Sequence, residues 1–204
     1  MNKRTSSGTA LILIGYQNDY FSPDGILHGV IEEVERVNHV LENTLQLVRR
    51  LSDTEALIVT TPIIFTEDYS ELKDPAGILK VIKEMKAFCS NSKGAETIPE
   101  FGEFGDRIKE IPGKRGLNAF SNTQLDELLL ASNIKDIVFA GAVTSVCIDS
   151  SARAAFERDF RVSILSDCTT GRTIFEQDFY CKEIFPIYAD VLDHKELIDS
   201  FVDA

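Results

Sequence analysis

Cys147 closes the heptapeptide Gly141-Ala142-Val143-Thr144-Ser145-Val146-Cys147, which stands between an apolar run and a helical pattern. The run, residues 137–140, reads as a short buried strand, and Ile148, Ala152, Ala155 and Phe156 recur at helical spacing, so the heptapeptide is a strand-to-helix turn. In the first turn of a helix the unpaired backbone N–H groups and the positive end of the dipole favour a thiolate over a thiol, which makes Cys147 a candidate nucleophile. Cysteine is also among the most often buried residue types, so taken alone Cys147 reads first as a core residue.

Attack on a carbonyl further needs an oxyanion hole, a proton shuttle and a group that manages charge. Lys114, in Gly113-Lys114-Arg115-Gly116-Leu117-Asn118-Ala119-Phe120, follows a weak strand signal and is a candidate for such a group, although most lysines are solvated. Histidine is the usual partner of a reactive cysteine. His28, His39 and His194 fall in an early loop, on an early helix and near the carboxyl terminus, none in a local motif, so a cysteine–histidine pair has no support in the sequence.

These residues need a frame to hold them. Ala10-Leu11-Ile12-Leu13-Ile14 is a continuous apolar run, the pattern of a strand covered on both faces in a parallel sheet. Residues 16–25 follow as a polar and aromatic loop at its carboxyl end, where open α/β sheets place ligands. Val34, Val37, Leu41, Leu45 and Val48 mark one amphipathic helix over 30–51, and residues 56–61 a second strand stopped by Pro62. A helix is expected over about 75–88, a weak third strand over 108–111, and a helix opened by Thr123 as N-cap. The central strand (136–140), a helix over 145–159, a strand over 162–165, a helix over 176–184 and an edge strand over 187–192 complete the alternation. The pattern is that of a single α/β domain spanning 1–204 with helices on both faces of a mostly parallel sheet. Neither GxGxxG nor GxxxxGK[ST] occurs at the turn, which disfavours nucleotide binding.

The composition of the 204 residues, 44% hydrophobic and 26% charged, suits one fairly large core. A formal net charge of -12 argues against nucleic-acid or anionic-membrane partners and for small molecules or proteins. The apolar run near the amino terminus is shorter than the ~7–15 residues of a signal core or the ~20 of a membrane span, so a cytosolic location is expected. Cys89, Cys147, Cys168 and Cys181 show no CxxC spacing and read as reduced thiols; apart from Cys147 they are expected to be structural.

Four segments together resemble the isochorismatase-like cysteine hydrolases: Leu11-Ile12-Leu13-Ile14-Gly15-Tyr16-Gln17-Asn18-Asp19-Tyr20-Phe21; Lys114 with Ala119-Phe120 and Thr123-Gln124-Leu125-Asp126; the turn ending in Cys147; and the late strand ending in Asp167. The resemblance implies a doubly wound, three-layer α/β/α fold and an Asp–Lys–Cys triad that, in this family, hydrolyses amides of small molecules, isochorismate being the other well-known substrate type. It implies a homo-oligomer as well. Carried over, Cys147 is the nucleophile and Lys114 the triad lysine. The family's non-proline cis peptide falls at Ala142–Val143, directing the N–H of Val143, with that of Cys147, at the developing oxyanion. The pocket is expected to include Gly15, Tyr16, Asp19, Phe65, Asp68, Asn118 and Phe120, with Tyr16, Tyr20, Phe21, Phe65 and Phe120 as a candidate aromatic wall.

The sequence departs from the family at two places. Where the family carries its aspartate, at the end of the first strand and just before the Gln-Asn-Asp-Phe-like loop, this chain has Gly15. Loss of a positioned general base costs on the order of 10²–10⁴ in rate unless another group replaces it, and Asp19, Asp24, Glu67 and Asp68 are the candidates. Asp19 reads more readily as a residue that holds the loop by hydrogen bonds. The family's metal-binding Asp-x-His segment resembles Thr66-Glu67-Asp68-Tyr69-Ser70, with Ser70 where histidine would stand. No metal or other cofactor is therefore expected, and nicotinamidase activity is disfavoured. The sequence leaves two readings: a cysteine hydrolase acting on a small amide or related carbonyl compound, or a member that keeps the fold as a binding or structural oligomer without hydrolysis.

Overall fold

The computed structural model describes residues 3–203. Six strands, β1 (Thr9–Ile14), β2 (Leu57–Thr60), β3 (Ile108–Glu110), β4 (Asp136–Ala142), β5 (Arg161–Thr170) and β6 (Asp190–Leu192), form one sheet in the order β3-β2-β1-β4-β5-β6. Every neighbouring pair is parallel, as the continuous apolar runs require. All residues of β1 and β4 are buried. Side-chain alternation splits β1 between two cores: Leu11 and Leu13 join one, Ala10, Ile12 and Ile14 the other.

Eight α-helices accompany the strands among the described residues: α1 (Asn18–Phe21), α2 (His28–Asn38), α3 (Val40–Ser52), α4 (Gly77–Met85), α5 (Leu125–Ala131), α6 (Asp149–Phe156), α7 (Ile174–Phe179) and α8 (His194–Ser200). Val40, Leu47, Val48 and Leu51 of α3 and Leu197 of α8 fill the first core, whereas Leu125 and Leu129 of α5 and Ala152 and Ala155 of α6 fill the second. The result is a three-layer α/β/α arrangement. Its strand order reverses between β1 and β4, and the carboxyl ends of strands flanking such a reversal diverge to leave a crevice.

Several boundaries differ from the sequence reading. The helix expected over 30–51 is two helices, because His39 takes a left-handed backbone (φ 53°) between them. The break rotates the second half, so Val37 lies 54% exposed while Val40 and Leu47 turn into the core. Thr123 is not the cap of α5: the helix begins at Leu125, and the Thr123 hydroxyl donates to the Ala119 carbonyl. The helix expected over 145–159 starts as a π-helical turn, Thr144–Ile148, before α6, and the helix expected over 176–184 is α7 continued by a second such turn, Tyr180–Ile184. β5 runs past 165 to Thr170, with a shift of register opposite Phe139 and Gly141. Gly141 sits at that shift with φ 118°, and its backbone approaches Ile14 so closely that a Cβ would lie 1.8 Å from the Ile14 carbonyl oxygen. Only glycine fits there. β6 is shorter than expected. α8, absent from the sequence reading, opens with a capping box between Asp193 and Glu196.

Candidate active site

The ends of β1 and β4 meet where Gly15 follows Ile14 and Ala142 closes β4. The Ala142–Val143 peptide is cis. The π-helical turn then begins, closed by the N–H of Ile148 on the Val143 carbonyl, and presents Cys147 with little exposure (8%). Side chains fix the turn to α7: the Thr144 hydroxyl donates to Gln177 Oε1 and the Ser145 hydroxyl to Glu176 Oε1, each at 2.6 Å.

Lys114 arrives from the other half of the sheet. Past β3 the chain runs beside the segment that follows β2, with Lys114 bridged to Ile63, and the lysine side chain is 1% exposed. Its Nζ lies 3.6 Å from Cys147 Sγ, the one hydrogen-bond acceptor it has among the described residues. A buried amine without a hydrogen-bond partner is costly, and this contact supplies one.

Gly15, Ala142, Lys114 and Cys147 line a common cavity with Tyr20. The rest of its lining is apolar, including Ile78, Leu79 and Ile82 of α4 together with Leu117 and Val146. The volume open to water is about 10 Å³, room for a single molecule. Burial, then Cys147 and the carboxylate of Asp19, push the Tyr20 phenol far above the ordinary tyrosine range, which holds it neutral.

The other expected pocket residues do not line this cavity. The Tyr16 hydroxyl bonds Thr44 and the Cys168 carbonyl within the first core, where the ring stacks on Phe21. Asp19 accepts the backbone N–H of Phe88 and holds the loop. Phe65 is fully buried against Tyr69. Asp68 is exposed and bonds Thr66 and the Ser70 N–H. Asn118 accepts the N–H of Phe120, whose ring lies under the Arg158 guanidinium. Glu67 bonds Asn91 at the surface, and Asp24, like Glu67, is no part of the cavity. Thus no carboxylate among the described residues lines it. The α4 wall went unread because Ile78, Leu79 and Ile82 look like any amphipathic helix; their one signal is a short apolar stripe in a long polar connection.

One group of potential metal ligands occurs among the described residues: Asp167, Cys168 and His194. It lies outside the cavity, and its members already bond one another. Asp167 accepts both the backbone N–H and Nδ1 of His194, and the Cys168 thiol donates to Asp167. The Asp167 of the late strand thereby fastens α8 to β5.

The chain is similar in sequence and in fold to known proteins. The ureidoacrylate amidohydrolase RutB of Cronobacter sakazakii is 29% identical over 173 residues, covering 79% of this chain and 74% of its own. A cysteine hydrolase from Pseudomonas syringae superposes with a TM-score of 0.83 over 98% of this chain and 95% of that one, at 18% identity. The N-carbamoylsarcosine amidase of Thermoplasma acidophilum has a TM-score of 0.71 at 16% identity, over 91% of this chain and 96% of its own. The family model described as the isochorismatase domain matches residues 9–196, from the first residue of β1 into α8, and the chain belongs to that family.

Proposed function

We propose that the protein is a cysteine hydrolase that cleaves the C–N bond of a small amide through Cys147 and Lys114. The observation that carries this reading is the 3.6 Å approach of a buried lysine to a buried cysteine at the strand reversal. Relatives bearing the names amidohydrolase and amidase support the reaction class.

In this reading Cys147 Sγ attacks the carbonyl carbon as thiolate, with the Lys114 ammonium as its counter-charge. The N–H groups of Val143 and Cys147 receive the oxyanion. As the C–N bond breaks, Lys114 gives a proton to the departing nitrogen, leaving a thioester and a neutral lysine. The lysine then takes a proton from the water that attacks the thioester, and acid release restores the thiolate–ammonium pair. Lys114 fills both proton-transfer roles because no carboxylate lines the cavity.

That same lack of a carboxylate, with Gly15 at the family's aspartate position, favours a second reading, in which the fold binds a small carbonyl compound without hydrolysing it. Ammonia release from a panel of small amides separates the two. Turnover by wild type and at least a thousandfold loss in Cys147→Ala support hydrolysis; binding without turnover by wild type supports the second reading.

A further inference from the structure

The cavity beside Cys147 has two chemically distinct parts. Its reactive wall is Lys114 and Cys147; nearly all the rest is hydrocarbon, and among the described residues no Asp, Glu, Arg or His lines it. Lys114 is the sole charged side chain there, and it is held by the Cys147 sulfur. A substrate carboxylate placed on Lys114 would therefore occupy the position the scissile group needs, and placed anywhere else it would lose its water without a partner.

The helix α4 presents only aliphatic side chains to this space. Its charged groups are engaged elsewhere: Lys80 faces Glu84 at 3.8 Å on the exposed side, and Lys83 Nζ donates to the Leu72 carbonyl. Unspecialised hydrophobic core would have the same lining, but core does not enclose a lysine at 1% exposure whose partner is a thiol.

Size adds a second constraint. With room for a single water molecule, the cavity admits a ligand only if a wall moves. α4 is nine residues long, is bounded by left-handed residues at Gly77 (φ 54°) and Lys86 (φ 57°), and turns Val81 and Met85 to solvent at 43% and 44% exposure. It has little packed behind it, so a small shift of this helix makes room for a short group and not for a long one.

We propose that the compound taken by this site is uncharged and carries a short aliphatic group on its carbonyl carbon, which the Ile78, Leu79 and Ile82 face of α4 selects. The assignment rests on Cys147 and Lys114 forming the reactive wall, so its test measures binding separately from turnover. Cys147→Ser protein, which keeps a hydrogen-bond acceptor beside Lys114 Nζ, is titrated with isobutyramide, acetamide and N-carbamoylglycine, the last a carboxylate. Isobutyramide should bind at least tenfold more tightly than N-carbamoylglycine, and acetamide roughly tenfold more weakly for each methylene lost. Adding Leu79→Ala should shift the preference from isobutyramide toward hexanamide, titrated alongside, and Leu79→Arg should raise the relative affinity for N-carbamoylglycine at least tenfold. Equal or tighter binding of N-carbamoylglycine, binding of none of the three, or unchanged preference in a folded Leu79→Ala protein would overturn the proposal. Isobutyramide bound with the stated preference but not hydrolysed by wild type would remove the hydrolytic reading and leave the pocket assignment; preferential hydrolysis of the carboxylate would do the reverse.

Discussion

Gly15 and Ala142 face each other across the ends of β1 and β4 so closely that a Cβ on Gly15 would lie 2.9 Å from the Ala142 carbonyl oxygen. Gly15 also has φ 74°, in the left-handed region. The glycine is thus built into the backbone. A non-glycine residue in that conformation costs about 1–2 kcal/mol, to which the contact adds. Gly15→Ala should lower unfolding free energy by about 1–3 kcal/mol in urea titrations, and an unchanged midpoint would show that the strand ends yield freely. Gly15→Asp should fail to raise turnover, since it displaces the carbonyl that precedes the turn bearing Cys147. If it folds and creates activity absent from wild type, the native protein is a degenerate hydrolase.

The Lys114–Cys147 pair makes a thermodynamic prediction apart from catalysis. Cys147→Ala removes the single acceptor that the described residues give the buried Nζ, and an orphaned buried donor costs about 1–3 kcal/mol, more if charged. Lys114→Met fills much the same volume with no charge to bury, so it should destabilise less. In the double variant the orphan no longer exists. A double-mutant cycle should give a coupling energy of about 1–3 kcal/mol, and additivity within about 0.5 kcal/mol would mean that the two groups do not interact.

How much of this was legible in the sequence follows from which signals are local. β1 and β4 were readable because six or more buried residues in a row leave few alternatives, and the turn before Cys147 because an apolar strand passes directly into a helical pattern. The break at His39 was not, because both halves keep a helical stripe and only the tertiary core decides which residues turn inward. Lys114 is a candidate from its place just past a weak strand signal and takes its triad role only through the resemblance, since nothing local distinguishes a lysine that will be buried. Tyr16 and Phe65 are expected in the pocket because they follow β1 or β2, and Asp19 is expected there too, although it reads more readily as a residue that holds the loop. The chain instead uses them to lock the loops, through the Phe88 N–H, the Thr44 hydroxyl and the Tyr69 ring.

Alkaline stability tests a thiol far from the site. Burial, then the neighbouring Asp178, push the Cys181 thiol up from its ordinary 9.0 to about 12. Below pH 9 the thiol is protonated in both folded and unfolded chains. Between 9 and 12 the unfolded chain loses the proton first, so the stabilising contribution is complete below the unfolded value and is lost as pH rises toward the folded one. The slope from this group reaches up to about 1.4 kcal/mol per pH unit. Urea midpoints should therefore fall from pH 9 upward, and less steeply in Cys181→Ala. Equal slopes in the two proteins would show that Cys181 ionises as freely in the folded chain as in the unfolded one.

Tyr20 is the third proton-bearing side chain of the cavity, after Cys147 and Lys114, and its ring stands 3.5 Å from where a Gly15 Cβ would be. Its ring packs against Phe88 with centroids 5.2 Å apart, a contact that phenylalanine would keep. The phenol stays protonated and can donate to a bound carbonyl compound but cannot serve as a base. Tyr20→Phe should therefore leave the urea midpoint unchanged or slightly higher. It should lower kcat/KM about tenfold, the effect of one neutral hydrogen bond of about 1–1.5 kcal/mol. Because a donor needs no deprotonation, the loss should be the same at pH 6 and pH 9. A loss confined to high pH would instead mark the phenolate as a base, and no loss at either pH would reduce Tyr20 to a packing residue of the cavity wall.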